Sequence, residues 1–457
     1  MPMAYDLLVI GAGAAGGSAA HTAASMGARV VQIERDKIGG TCLNYGCDPT
    51  KTLLHIAQEL YRTRHSTQLG LSFSSFSVEW PRVLAYVQEV ITDMRGGNMQ
   101  QASEQLHREG IEFIAGDARL LSPHEVEVNG RHITTERVIL AVGCQPEVPA
   151  IEGLHEAGFI TNIQAVSLST LPRRLAIIGG GAIGIEFAQM FQRFGVQVTV
   201  LEKHPQILAT EDQELADLLR TLLTHEGIEL ISDAELQRVE KTSEGKQLTY
   251  RSAQGPEQKV VVDEILLALG RRPALEKLGL ETIGVKTTQK GIEVDPALRT
   301  SVPHIWAAGD IVTKFQFTHV ANEQGALAAR NAFATHPTPF DRRAIPWVTF
   351  TDPPLAHVGQ TEEELREQQK TYTVRRLEFK EIERALTMGQ TEGKMKFLVD
   401  EKGLLLGAHI LGPRADELLT PLILTIQNEL PVARLAATLL PYPTLSEGLR
   451  TLASRFS

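Results

Sequence analysis

Three cysteines in a chain of 457 residues are too few for a disulfide framework. A chain of this length divides into about three domains and buries roughly three quarters of its unfolded surface, so it needs no such staples. No run of about 18 consecutive apolar residues occurs, and no membrane span is expected. Basic charge is not in excess. The formal net charge of -10 leaves no positive field to replace phosphate counterions, which excludes nucleic acid as a main partner. Low-complexity and linker-like tracts are missing too. Met1 to Tyr5 leads into Leu7-Leu8-Val9-Ile10 with no basic leader, so a cytoplasmic location is expected, where paired cysteines are more often catalytic than structural.

Glycine, by contrast, recurs in a pattern. Gly11-x-Gly13-x-x-Gly16 follows the first apolar strand, an Ala-rich helix extends to about Gly27, and a second strand from Arg29 to Ile33 ends at Glu34. Small residues at such a turn let backbone N–H groups reach a pyrophosphate, and an acid after the second strand suits ribose hydroxyls. The unit returns with Leu175 to Ile178, Gly179-x-Gly181-x-x-Gly184, Val198 to Leu201 and Glu202. From first glycine to acid the separation is 23 positions in both. One such turn alone is compatible with mere helix-on-strand packing, but two matched units predict two dinucleotide sites. Hydride transfer needs a donor and an acceptor, so one flavin and one nicotinamide is the economical pair.

Gly39 to Lys51 reads GGTCLNYGCDPTK. Pro49 is pre-set for a first helical turn, so a helix is expected to begin near Asp48, with Cys47 at its N-terminus. The unpaired N–H groups there favour thiolate over a thiol of ordinary pKa about 8.5. Cys42 and Cys47 suit a strained, reducible disulfide, and two ordinary buried thiols remain the alternative. The spacing and the lack of a local His disfavour a metal site.

Elsewhere, residues 79–109 have helical periodicity broken at Gly96-Gly97, where glycine costs roughly 1 kcal/mol per residue. Residues 111–142 alternate, with an Asn129-Gly130 hairpin signal, before a buried strand from Val138 to Val142. Residues 228–270 repeat that theme. Ile305 to Asp310 reads as a buried strand ending in a small turn and a carboxylate, which suits a cofactor hydroxyl or the cap of the next helix, which contains His319. Residues 344–457 alternate strands and helices without a glycine fingerprint, as suits an interface domain.

Laid end to end, these segments resemble the flavoprotein disulfide reductases, the group of dihydrolipoamide dehydrogenase, glutathione reductase and mercuric reductase. The resemblance rests on GAGAAG at 11–16, GGTCLNYGC at 39–47, GGGAIGIEFA at 179–188, LGRRP at 269–273, IWAAGD at 305–310, THVANEQG at 318–325, FTDPPLAHVG at 350–359 and PYPTLSEG at 441–448. It implies an α/β chain with two Rossmann-like domains, for FAD over 1–147 and NAD(P) over 148–271. A central segment, 272–343, completes the FAD site, and a C-terminal α+β dimerisation domain spans 344–457.

Carried over by position, the resemblance implies FAD contacts at Gly11, Gly13, Ala14, Ala15, Gly16, Glu34, Gly40, Thr41, Lys51, Gly143, Asp310 and His319. Nicotinamide contacts fall at Gly179, Gly181, Ile183, Gly184, Glu202 and Gly270. Cys47 matches the thiolate against the flavin ring, Cys42 the exchange thiol, and Lys51 with Glu186 an ion pair beside the flavin. NADH reduces the flavin, electrons pass to the Cys42–Cys47 disulfide, and Cys42 meets an external small-molecule or protein disulfide, or a quinone. The family forms homodimers in which one subunit's C-terminal segment completes the other's site. Glu202 repels a 2′-phosphate and favours NADH, while Lys203 and His204 beside it soften that preference toward NADPH.

Two positions depart from the pattern. Lipoamide- and glutathione-linked members have a catalytic His where this chain has Tyr442, although Glu447 is kept. A phenol, with pKa about 10 against about 6.5 for imidazole, is a poor resting base and suits reduction of an acceptor better than oxidation of a dithiol. Mercuric reductases share the Tyr, which makes metal-ion reduction an alternative, as is a dihydrolipoamide dehydrogenase with an altered dyad. Their C-terminal cysteine pair has no counterpart in Leu449 to Ser457, and Cys144 reads as packing rather than a third ligand. Asp48 stands where an aliphatic residue is usual; it suits a helix start, but its charge opposes the Cys47 thiolate.

Overall fold

A computed structural model describes residues 4–456 apart from 74, 76, 253, 254 and 313. Met1 to Met3, on which the reading of the chain's start partly rests, and Ser457 lie outside the described residues.

Leu7–Ile10 is buried along its whole length because it is the middle strand of a parallel sheet. The order across that sheet is Ile305–Ala307, Val138–Leu140, Leu7–Ile10, Val30–Glu34 and Ile111–Ala115, with every neighbour parallel. A second parallel sheet repeats the plan with Glu229–Ile231, Gln197–Leu201, Arg174–Ile178 and Glu264–Leu267. In both units a three-stranded antiparallel ribbon is inserted before a central-sheet strand, over Ala118–Ser122, Glu125–Val128 and Arg131–Thr134 in the first and Ala234–Thr242, Gly245–Ser252 and Glu257–Val262 in the second.

Local chemistry accounts for the joints. Asn129 and Gly130 take φ of 51° and 74°, the left-handed pair that a tight hairpin requires. Helix Trp80–Arg95 stops at Gly96 with φ 80°, and Met99–Arg108 restarts behind Asn98, whose side chain accepts from Gln101 N. Helix Thr318–Phe333, far along the chain, packs on helix Ala14–Ser25. A Cβ at Gly325 would fall 2.0 Å from the Ala15 carbonyl oxygen, so only glycine permits that approach.

The third sheet is antiparallel, in the order Pro346–Thr349, Leu355–Gly359, Leu405–Leu411, Lys394–Val399 and Thr373–Glu378. Helices Ala415–Gln427 and Glu447–Ser454 back it, closing a core around Phe397, Ile410, Leu422 and Leu452. Buried ions fasten this unit to the second one. Lys396 Nζ lies 2.8 Å from Asp212, and Arg193 bonds Glu226 at 2.8 Å and Asp352 at 2.9 Å. Trp347 Nε1 donates to Glu211 at 2.7 Å, and the other Glu211 oxygen lies 3.6 Å from Nδ1 of fully buried His357. Among the described residues no helix is long and apolar enough to cross a membrane.

Candidate active site

The two glycine turns are built alike down to single bonds. Glu34 accepts from Ala12 N at 2.8 Å and Asp36 N at 2.9 Å; Glu202 accepts from Gly180 N at 2.6 Å and His204 N at 2.7 Å. The outer glycines are sterically fixed. A Cβ at Gly11 or Gly179 would lie 2.2 or 2.4 Å from the carbonyl oxygen of Ala141 or Ala268, just past the neighbouring strand, and one at Gly16 or Gly184 would lie 2.0 Å from the first glycine's own oxygen. The middle glycines face space: nothing lies within 4 Å of a Cβ at Gly181, and only Gly40 Cα, at 3.8 Å, at Gly13. Both following helices start without a side-chain cap. Unpaired N–H groups beside a gap where a side chain would stand form a cradle for a pyrophosphate, so these residues fit two dinucleotides. Ala14 opens the first helix. The Ala15 side chain, 5% exposed, is packed against Gly309 rather than lining the cradle, which leaves only its backbone to a cofactor. Ile183 beside the second turn is 39% exposed.

The segment Gly39 to Lys51 folds over the first turn. Gly39 N donates to Ala12 O at 2.8 Å, and Gly40, at φ 58°, sits so close that a Cβ would come 2.6 Å from Gly13 Cα. Gly40–Tyr45 is a short helix carrying half-buried Thr41 and Cys42, and after Gly46 the thiol helix runs Cys47–Arg64. It begins one residue earlier than the sequence suggests. Gly46 is its N-cap, and Asp48 does not cap it; the Asp48 carboxylate instead lies 3.9 Å from Cys42 Sγ.

All three cysteines are free thiols. Thr318 Oγ1, at the start of helix Thr318–Phe333, lies 3.1 Å from Cys42 Sγ and 3.3 Å from Cys47 Sγ. The two sulfurs are unequal. Hydrogen bonds from the Cys42 thiol and Thr318, with Lys51 nearby, outweigh burial and pull Cys47 down to about 6. The same sharing with Cys47, with burial added, pushes Cys42 well above the ordinary thiol range. Both effects favour the thiolate at Cys47 and the thiol at Cys42, the direction that the place of Cys47 at a helix N-terminus also favours. One turn along, Lys51 Nζ bonds Glu186 Oε2 at 2.7 Å, the Phe350 ring lies 4.6 Å beneath it, and Phe350 N donates to the other Glu186 oxygen at 2.8 Å.

Asp310 caps no helix, since Phe317 precedes Thr318–Phe333. Its carboxylate accepts from Arg271 Nη1 at 2.6 Å, while Arg271 Nη2 reaches Cys144 O at 3.1 Å. Gly143 and Gly270, at φ 66° and 105° and open where a Cβ would be, flank the strand pair Cys144–Pro146 and Arg271–Pro273. Cys144 is buried with Sγ 3.5 Å from Asp310 O, and that burial pushes its thiol up to about 12, as a packing residue should be. His319 Nε2 is held by Pro346 O at 2.9 Å and its ring stacks on Phe317, so its uncapped backbone N–H is the group left for a cofactor.

Tyr442 and Glu447 stand apart from the thiols and from each other's hydrogen bonds. Tyr442 is 72% exposed and its hydroxyl bonds Glu383, which raises its pKa further. Glu447 accepts from Thr444 N at 3.1 Å at the start of its own helix. Tyr442 and Glu447 make no hydrogen bond to each other; Glu383, on helix Glu383–Met388, brings a carboxylate to the phenol instead. Sequence reasoning had placed neither Thr318 nor Arg271 in the site. Both sit inside quoted motifs, THVANEQG and LGRRP, and that was the available signal.

Two dinucleotide cradles with an asymmetric thiol pair folded against one of them define a nucleotide-dependent dithiol redox enzyme. The sequence pattern of the pyridine nucleotide-disulphide oxidoreductase family matches residues 5–325, and that of the family's dimerisation domain residues 345–453. Dihydrolipoyl dehydrogenase of Thermus scotoductus is 37% identical over 456 residues, covering 98% of this chain and 96% of that protein. Mercuric reductase of Staphylococcus aureus is 35% identical over 456 residues, covering 99% and 82%. The solved structure of the HOCl-induced flavoprotein disulfide reductase RclA from Escherichia coli matches with a TM-score of 0.88 at 32% identity, covering 98% and 99%. This chain belongs to the pyridine nucleotide-disulphide oxidoreductases: it is an FAD-dependent oxidoreductase that takes electrons from NAD(P)H and carries the family's dimerisation domain.

Proposed function

We propose that the enzyme oxidises NADH and reduces an external disulfide through Cys47 and Cys42. The unequal thiol pair carries this reading: a thiolate at Cys47 with pKa about 6 beside a protonated Cys42 is the charge arrangement that a reduced dithiol needs before exchange. FAD, when bound, supplies the relay of an electron pair from the nicotinamide to the sulfur pair. Gly11, Gly13, Gly16 and Glu34 would hold its pyrophosphate and ribose, and Asp310, tied to Arg271, would accept from its side chain. Lys51, anchored by Glu186, keeps positive charge near Cys47. Residues 1–147 and 272–343 serve the flavin, 148–271 the nicotinamide, and 344–457 the contact between two copies.

Glu202 favours NADH over NADPH. Its carboxylate, 8% exposed and fixed by Gly180 N and His204 N, meets a ribose diol but repels a phosphate there, while Lys203 and His204 project outward. We assign a homodimer in which Tyr442 and Glu447 of one copy approach the Cys42 side of the other, which accords with the exposure of Tyr442 within its own chain. Tyr442 also favours a second reading, reduction of a thiol-bound metal ion, in which no histidine relay is needed.

The test is anaerobic NADH titration of the FAD-loaded dimer, followed by turnover with lipoamide, a small disulfide, a quinone and thiol-bound Hg(II) side by side. A long-wavelength thiolate–flavin band and disulfide turnover are expected, with kcat/KM for NADH above that for NADPH. Turnover with Hg(II) alone transfers the assignment to the second reading, and no band removes the role given to Cys47.

A further inference from the structure

Asp48 is the residue of the thiol segment that the chemistry above leaves unused. Its carboxylate lies on the first turn of the thiol helix, 3.9 Å from the exchange sulfur, within reach of the single Cys42 S–H when that hydrogen turns from Cys47 to the carboxylate. It does not serve as the helix cap, since Gly46 holds that position. Within this chain the alternatives are committed elsewhere: the Tyr442 hydroxyl to Glu383 and Glu447 to the Thr444 backbone. Thr318 reaches Cys42, but an aliphatic hydroxyl does not take up a proton at neutral pH.

We propose that Asp48 is the catalytic acid and base of the exchange thiol, taking the Cys42 proton as that sulfur attacks an external disulfide and returning it to the departing thiolate. The assignment rests on the disulfide-reducing reading. The reduced enzyme holds Cys42 as thiol and Cys47 as thiolate. Asp48 accepts the Cys42 proton, the Cys42 sulfur bonds to one sulfur of R–S–S–R, and the other leaves as RS⁻, which Asp48 protonates. The Cys47 thiolate then attacks Cys42 Sγ, closing the internal disulfide and releasing the second RS⁻, which solvent protonates. The thiol pair loses two electrons and the substrate disulfide gains them.

The surroundings suit a carboxylate that gains and loses a proton. Burial raises the Asp48 pKa, opposed by Lys51 one turn along the same helix and by the Cys42 thiol from the preceding helix. The helix N-terminus also favours the ionised form. The other groups at this spot are Cys47, Thr318 from helix Thr318–Phe333, and Glu186, which faces Lys51 rather than Asp48. The charge on Asp48 in turn raises the pKa of both cysteines.

That last effect makes Asp48→Asn decisive, because a mere electrostatic neighbour and a proton carrier predict opposite signs. In the NADH-reduced, FAD-loaded protein, the apparent pKa for Cys42 alkylation by iodoacetamide, followed by mass spectrometry, falls in the variant. Turnover with 2-hydroxyethyl disulfide nevertheless drops about 10²-fold, and Asp48→Glu recovers about tenfold of the loss. An unmoved alkylation pKa, or turnover that holds or rises in Asp48→Asn, overturns the proposal. A parent enzyme that leaves the disulfide untouched overturns the disulfide reading and this assignment together, whereas a parent and an Asp48→Asn variant that turn over equally overturn the assignment alone.

Discussion

Lys51 and Glu186 are 135 positions apart, and their bond joins the thiol helix to the helix of the second dinucleotide unit. Glu186 is almost wholly buried while Lys51 keeps about a third of its side chain in solvent, so the two partners are not equivalent. Lys51→Met leaves a buried carboxylate with only the Phe350 N–H; after allowance for solvent screening of the lysine we expect a loss of about 1–3 kcal/mol. Glu186→Gln keeps a hydrogen bond to that N–H and loses less. The lysine also lowers the Cys47 pKa. Cys47 is a depressed group, ionised above about 6, so removing the positive charge shifts the appearance of the thiolate–flavin band to higher pH. A pH titration of that band in Lys51→Met that tracks the parent's would dissociate the ion pair from the thiolate.

Among elements, the contact between helices Ala14–Ser25 and Thr318–Phe333 joins the first glycine cradle to the hydroxyl that bridges the sulfurs. It tolerates no side chain at Gly325, because the atom a Cβ would meet is the Ala15 backbone oxygen, which cannot rotate away. Gly325→Ala is expected to cost about 1–3 kcal/mol and to displace Thr318 from the thiols, seen as flavin lost on gel filtration. Flavin retention equal to the parent's would show that the two helices slide apart without disturbing the site.

What the sequence disclosed about such elements depended on distance along the chain. The glycine turns, the Asn129-Gly130 hairpin and the break at Gly96 were legible because each is decided within a few residues by which backbone angles are allowed. The matched spacing of the two units made two dinucleotide folds legible, while the strand order within each sheet came only from the structure. The bonds that tune the site are of another kind. Thr318 to Cys42 spans 276 positions, Tyr442 to Glu383 spans 59 and Arg271 to Asp310 spans 39. No periodicity or spacing carries them, since they arise only when separate units pack. Asp48 was visible as an oddity, but its direction, toward Cys42 and away from the helix end, depended on the placement of the preceding short helix.

At the scale of the whole molecule, the contact between the second unit and the C-terminal sheet encloses groups that titrate in opposite senses. Burial raises Glu211 from an ordinary 4.5 to about 7 and lowers His357 and His409 from 6.5 to about 4. A carboxyl raised on folding stabilises the fold fully below about 4.5 and loses that contribution as pH rises through about 7. The imidazoles contribute fully above about 6.5 and lose it as pH falls toward 4. Glu211→Gln removes only the first dependence. Relative to the parent it should gain on the order of 2 kcal/mol between pH 5 and pH 8, read from denaturant midpoints of the FAD-loaded protein. A difference that stays constant over that range would mean that Glu211 does not enter the fold as a neutral acid.

Gly40 rests on Gly13, while nothing approaches Gly181. Two seats of the same make thus differ in their covers, and the difference is one of residence time. An occupant of the first is expected to leave only as the thiol segment lifts, so that its off-rate would follow the opening of that segment. An occupant of the second departs at the speed of its own contacts. Permanence in one seat and exchange in the other are what an enzyme requires of a resident flavin and of a nicotinamide that passes through on every cycle.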